Sequence, residues 1–243
     1  MRAFLIFLVF VVVLAVAVVA YTPLGFVLNR SGVGSAGIGW AKVDGSLVRG
    51  RVTGLYVGNQ PVGDVNLKLE PISLLSMKPR YQIQWGGAGG RGTAALTLSR
   101  SELVATDIRA QHEIASLEGL APEVRAMGGS LRVRDGAFVL SPSGCISAEG
   151  TLSSDILTEF AVQYGRQFGE LSGPLSCLAG AFEIAMRGQS DTGDTVSFDA
   201  RSVLNGESSF QATVNTSDVQ IILALTQVGF TREDRAFVYR GSN

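Results

Sequence analysis

The sequence predicts a mainly β protein: a single N-terminal transmembrane helix followed by one curled, meandering antiparallel sheet (a half-barrel or groove) with two or three short helices. Three observations predict it. Glycine is abundant (30 of 243 residues), proline is scarce (7) and only 17% of residues are charged, which suits frequent strand turns and not a disordered chain. After Trp40, apolar and polar residues alternate in short segments; Val65, Leu67 and Leu69, for example, interleave with Asn66, Lys68 and Glu70. Such alternation leaves one face of a strand for burial. The segments recur about every 10 residues, the spacing of an antiparallel meander.

The N-terminal element comes first. Ala3–Ala20 is 18 consecutive apolar residues without a charge, 14 of them Phe, Leu, Ile or Val. On the insertion scale those side chains favour the bilayer by roughly 6 kcal/mol in total. At about 1.5 Å per residue the run reaches ~27 Å, one hydrocarbon thickness. We therefore expect a single-pass anchor within residues 1–28, with the amino terminus and Arg2 cytoplasmic and the remainder outside. A cleaved signal peptide is the competing reading, with Ala15-Val16-Ala17 as its small-x-small site. Signal cores run about 7–15 residues, whereas this run continues without a polar region to Thr22-Pro23. Residues 29–39 (NRSGVGSAGIG) read as a Gly/Ser linker, and residues 40–243 as the exported β-rich domain.

Within that domain, Val43 to Val57 supplies the first strands, broken at Asp44-Gly45 and Gly50. Val65–Leu69 and Tyr81–Trp85 follow, and Gly86–Gly92 turns the chain into Thr93–Leu98. Further strands are expected at Leu103–Ile114, Gly129–Val133, Ala137–Leu140, Ile146–Leu152, Ala181–Met186, Thr195–Ala200, Ser209–Val214 and Ala236–Tyr239. Three segments read as helical. Pro71–Leu75 places proline in a first turn. Asp155–Arg166 sets Ile156, Leu157, Phe160, Ala161 and Tyr164 on one face, with Ser154 as N-cap. Ser217–Val228 begins polar, has an apolar body and stops at Gly229.

Cys145 and Cys177 are the only cysteines. Outside the cytoplasm a lone pair favours a disulfide; two buried thiols are the alternative. A bridge would tie together the ends of the segment that carries the second helix. Composition excludes several function classes. Lys and Arg number 20 against 21 Asp and Glu, for a net charge of −1, which speaks against a nucleic-acid binder. One histidine and two cysteines leave no His-rich or Cys₄ metal site. Gly32–Gly37 has G-x-G-x-x-G spacing but follows no strand and opens no helix. Gly87–Gly92 lacks the Lys and Ser/Thr of a phosphate-binding loop. His112 and Glu113, as neighbours in an alternating segment, face opposite sides. No serine lies in Gly-x-Ser-x-Gly, and Glu233-Asp234 belongs to a charged turn, Thr231–Arg235. We expect no catalytic residues, cofactor or metal ligands, and hence no enzyme.

Several stretches together resemble one family. Val43–Arg51 (VDGSLVRGR), containing Gly45 and Gly50, is similar to the signature near the start of type II secretion system protein N, with Val48 where that signature prefers tryptophan. Leu69–Leu75 (LEPISLL) resembles the family's next element through Pro71, Leu74 and Leu75. Gly129–Val133, Cys145–Gly150 and Leu171–Cys177, the last containing Gly173, resemble its later blocks, and Leu225–Gly229 with Phe237–Tyr239 its C-terminal end. The resemblance implies an inner-membrane accessory subunit of the secretion machinery with a periplasmic β-rich domain and no catalytic residues. Its partners would be the other envelope subunits. It also implies similarity to AsmA-like proteins, whose half-open β-grooves are associated with lipid handling. Two functions follow as expectations: docking of secretion subunits on open sheet edges or, alternatively, phospholipid held on the apolar side of the sheet. The candidate inward sets are Val65/Leu67/Leu69 and Leu131/Val133.

Overall fold

The computed structural model describes residues 17–18, 21–32, 37–118, 120, 122–162, 165, 167–203 and 207–242. Among them, 15 strands form one antiparallel sheet. They are β1 (Ile38–Gly39), β2 (Lys42–Gly45), β3 (Arg49–Val57), β4 (Gln60–Glu70), β5 (Arg80–Gly87), β6 (Gly90–Leu98), β7 (Leu103–Glu113) and β8 (Ser130–Ser141). After these come β9 (Gly144–Ser154), β10 (Leu171–Leu178), β11 (Ala181–Gln189), β12 (Thr195–Ser202), β13 (Ser208–Asn215), β14 (Thr231–Glu233) and β15 (Ala236–Ser242). Neighbours in sequence are neighbours in space from β3 to β13; β15 and then β14 complete that side, and β1 and β2 both pair with β3. The sheet does not close on itself.

Since successive strands reverse direction, the connections collect at two ends. The helix end carries α2 (Pro122–Ala126), α3 (Ile156–Val162), α4 (Val219–Gln227) and a 3-10 turn, Ile114–Ser116. The opposite, hairpin end carries a 3-10 helix, Pro71–Ser76, and otherwise short turns. α1 (Leu24–Arg30) precedes the sheet and packs on its first strands.

Register assigns the two faces. Leu67, Ile83 and Ala94 are paired across β4, β5 and β6, and Met186, Phe198, Ala212 and Tyr239 across β11, β12, β13 and β15. The opposite face pairs polar groups, such as Lys68 with Gln82 and Arg187 with Ser197. The apolar face is densely packed in two places, around Leu24, Val52 and Val65, and around Leu152, Leu171 and Met186. Elsewhere its side chains are mostly half-buried, and among the described residues no second sheet is packed over them. Two contacts each span three strand spacings: Gln60 of β4 bonds the segment after β7, and the rings of Phe138 (β8) and Phe182 (β11) meet at 5.8 Å.

The β-rich class, the open antiparallel sheet and the few short helices agree with the sequence reading. The segment from Pro71 forms a 3-10 helix, and α3 begins directly after Asp155. Asp218 caps α4 by accepting from the Gln220 and Ile221 amides (2.8 and 3.4 Å), and Gly229 follows at φ 93°. Several expectations are corrected. Gly129–Val133 and Ala137–Leu140 are one strand, β8; Asp135 at φ 50° forms a bulge opposite Asp107 at φ 55°, not a turn. β10 was not expected as a strand, nor α2 as a helix; residues 24–28, expected within the anchor, belong to α1, which packs on the sheet. Thr231–Glu233 is an edge strand, and only Asp234 and Arg235 turn. The ends of the 29–39 segment are built into structure, Asn29 and Arg30 in α1 and Ile38–Gly39 in β1. Among the described residues no helix is long and apolar enough to cross a membrane. The expected span Ala3–Ala20, apart from residues 17 and 18, lies outside the described residues.

Candidate functional site

The β2–β3 hairpin receives the incoming chain. Gly45 adopts φ 86° where the Ser46 amide donates to the Arg49 carbonyl (2.9 Å), and a Cβ there would collide with that carbonyl. Only glycine meets both demands. The Leu47 amide donates to the Thr22 carbonyl (3.2 Å), and Pro23 forms a β-bridge with Ser46. Leu24 then drops onto Gly50, where any side chain would strike it, and packs against Val52 and Val65. Gly50→Val is expected to unseat Leu24 and cost about 1–3 kcal/mol, the usual range for overpacking. Denaturant unfolding of the full chain checks this; no change in midpoint would show that α1 does not depend on the contact.

The Pro71–Ser76 helix follows at the same end, since the Leu69 amide donates to the Val48 carbonyl (2.9 Å). Its hydroxyls are turned to internal use. Ser73 donates to the Glu70 carbonyl (2.5 Å) and accepts from the Arg80 amide (2.8 Å), while Ser76 donates to the Ser73 carbonyl (2.7 Å). Leu74 is half-buried, whereas Ile72, Leu75 and Met77 are exposed. Gly45, Gly50, Pro71, Leu74 and Leu75 therefore gather at the hairpin end beside α1. Gly173 stands apart in β10, where a Cβ would overlap the Ala185 backbone, so its role is close strand packing.

A disulfide joins Cys145 and Cys177, whose Cα atoms are 5.8 Å apart. Regular β9–β10 pairing extends only from Leu171↔Ser154 to Pro174↔Thr151. Proline has no amide hydrogen with which to extend a ladder. Beyond it the two strands are held at the hairpin end by the disulfide and by the Cys145 amide, which donates to the Gly180 carbonyl (2.9 Å).

His112 sits at the helix end, on the apolar face. Its Nε2 lies 3.1 Å from Ser116 Oγ and 3.5 Å from Gln60 Nε2. Gln60 also donates to the Ser116 carbonyl (3.1 Å) and accepts from the Glu118 amide (2.9 Å). The group is a latch between β4 and the segment after β7; among the described residues no carboxylate hydrogen-bonds the imidazole. Burial pushes the His112 pKa below its ordinary value of 6.5, against a smaller upward pull from Glu113. A histidine depressed in the folded state binds fewer protons there than in the unfolded chain. Its contribution to stability is full above pH about 6.5 and is lost as the pH falls below it. Acidification from about pH 7.5 to about pH 5.5 should lower the thermal midpoint, and His112→Gln should flatten that slope; an unchanged slope would assign it to other groups.

On the polar face, a shallow cleft of about 590 Å³ is lined by Arg91, Arg109, Arg132 and Arg134. Arg132 is engaged by Asp155 and by Glu170 (3.0 Å), Arg109 by Asp135 (3.9 Å), and Arg91 by Gln111 (3.1 Å). Among the described residues no group of three or more His, Cys, Asp or Glu could hold a metal ion. Sequence reasoning missed two devices, the Gln60 latch and the anchoring of Asp155 on Ser130 and Arg132. Nothing in the spacing marks either. The exposed Ile72 and Leu75 could have been found, since a proline-opened turn with apolar residues three apart presents a stripe.

What the molecule offers is extended surface: two sheet edges, a half-exposed apolar face and one end with protruding apolar side chains. This defines an open single-sheet protein strapped by a disulfide. Residues 36–240 match the family described as Type II secretion system (T2SS), protein N. The chain belongs to that family and is an accessory component of type II protein secretion. No curated protein and no solved structure matches it.

Proposed function

We propose that Ala3–Ala20 anchors the chain in the inner membrane with its N-terminus cytoplasmic, and that the β domain works in the periplasm by protein–protein contact, without catalysis. Its partners are the other envelope subunits of the type II secretion machinery. The unpaired edge of β15 carries this reading. β14 covers only Ala236–Val238, clamped there by Arg240, whose guanidinium donates to both Glu233 oxygens (2.6 and 2.9 Å). Residues 239–242 are left with a free edge among the described residues, and such an edge is a template for an added strand. A photo-crosslinking residue at Ser242 in cells carrying the machinery tests it. We expect an adduct with an identified envelope subunit, and none from the same probe at Thr192 on the helix end. No adduct at Ser242, or equal adducts at both positions, removes the edge as the docking site.

One observation favours phospholipid as a second reading. The apolar face runs on through Phe198, Phe210 and Tyr239, with successive rings 5.9 Å apart and each side chain half-exposed. If the sheet curls toward that face, it forms a trough for acyl chains. Mass spectrometry of the mildly extracted protein tests this; phospholipid no more abundant than on an unrelated anchored protein argues against it.

A further inference from the structure

We infer that the hairpin end of the sheet is seated on an anionic phospholipid bilayer, with Ile72, Leu75 and Met77 inserted at the interface. This rests on the reading of Ala3–Ala20 as the membrane anchor. A 3-10 helix has three residues per turn, so side chains at i and i+3 eclipse. PISLLS consequently sorts into three stripes: Pro71 with Leu74, Ile72 with Leu75, and Ser73 with Ser76. Leu74 faces the body, and the serines are bonded to the loop's own backbone and to the Arg80 amide. The remaining stripe, Ile72 with Leu75, is exposed. Ile72 is 81% exposed, Leu75 87% and the adjoining Met77 87%. Met77 closes the helix at φ 53°, its amide donating to the Leu74 carbonyl (3.1 Å). A bulky residue rarely adopts that conformation, and such strain persists where the surroundings impose it.

Where the chain enters identifies the occupant. Thr22 is tied to Val18 by its amide (2.9 Å) and its hydroxyl (2.6 Å), so a described residue of the apolar run is bonded to the residue that precedes Pro23. Pro23 and Thr22 are pinned to Ser46 and Leu47, and Val48 lies against Leu69, two residues before Pro71. The 3-10 helix thus projects from the same end at which the 18-residue uncharged run leaves the sheet. Exposed Arg49, Lys78 and Arg100 lie at this end, none in an ion pair among the described residues; Glu102 shares the turn of Arg100, and Asp44 is paired with Lys42 (2.9 Å). Exposed apolar side chains with unpaired cations at the same end of the sheet suit an anionic interface, where such groups settle about 5–10 Å into the headgroup boundary. A short turn with no free hydroxyls loses little hydration on entering it.

The test uses the full chain in vesicles of phosphatidylethanolamine and phosphatidylglycerol, with an environment-sensitive fluorophore on a single introduced cysteine, the native pair being bridged. Labels go at Leu75→Cys, at Thr192→Cys on the far end, and at Val12→Cys within the apolar run. We expect position 75 to be blue-shifted and quenched by spin-labelled lipid, position 192 to be neither, and Lys78→Glu with Arg100→Glu to reduce quenching at 75 several-fold. If 12 is quenched and 75 behaves like 192, the seating is overturned while the anchor stands. If 75 is quenched and 12 is not, the seating stands without the anchor. If neither is quenched, both fall. Equal quenching at 75 in neutral phosphatidylcholine vesicles overturns the anionic preference.

Discussion

Replacing both Cys145 and Cys177 with serine is expected to lower the unfolding free energy by about 3–4 kcal/mol, the chain-entropy value for a loop of this length. The bridge closes a sequence separation of 32 residues that contains most of β9, all of α3 and most of β10. Its location gives the loss a structural consequence. β9 and β10 share a regular ladder only over residues 151–154 and 171–174, and Pro174 ends it. Without the bridge, the hairpin end of β9 is still held by the bond from the Cys145 amide to the carbonyl of Gly180, just beyond β10, but the regular ladder does not extend there. β10 would then separate from β9 there, and the packing of Phe138 on Phe182 across it would loosen. Denaturant unfolding of the full chain, oxidised and after reduction, measures the effect, with the double serine variant as reference. If reduction leaves the midpoint of the wild-type chain unchanged, the bridge contributes nothing to folding.

Asp155→Ala is expected to cost about 2–3 kcal/mol, the range for losing charged hydrogen bonds and stranding a buried donor, and below that for breaking a fully buried ion pair. Asp155 accepts from the Ser130 amide (2.5 Å) and hydroxyl (3.1 Å) and pairs with Arg132. It thereby fixes the start of β8 to the β9–α3 junction. Removing it strands the amide of Ser130, a buried residue, and leaves Arg132 only Glu170 (3.0 Å). The pair is not fully enclosed, with side-chain exposures of 19% for Asp155 and 28% for Arg132, and solvent screening limits the loss. Arg132→Ala should cost less, because Asp155 keeps its bonds to Ser130. A double-mutant cycle separates the two contributions. Equal losses from the two single variants would place the energy in the ion pair and not in the amide contact.

Much of the fold was legible because strand alternation has a local cause. Val65, Leu67 and Leu69 face one side whatever their neighbours do, and Tyr81–Trp85 pairs with them in the expected sense. The ends of the last helix were legible for the same reason: its polar start, where Asp218 proves to be the cap, and its stop at Gly229 act within a few residues of their own positions. Bulges were not. Asp135-Gly136 has the composition of a turn, and only the matching irregularity at Asp107 in β7 makes it a bulge within one strand. β10 was hidden because Gly173-Pro174 reads as a break, although β11 pairs on both sides of it. Of the family-motif positions, Gly45 had a local signature in Asp44-Gly45, whereas Gly50 acquires its meaning only when Leu24 lands on it.

The sequence by itself determined the β-rich class, the cysteine pair, the positions of three helices and the family to which the chain belongs, since each depends on residue type and short spacing. Only the tertiary structure decided which strands form the edges of the sheet, that Ile72, Leu75 and Met77 project from the end where the chain enters, and that Gln60 reaches the segment beyond β7. Those features join residues far apart in sequence, whose proximity follows from strand register and order. No local pattern encodes which distant partner a side chain meets.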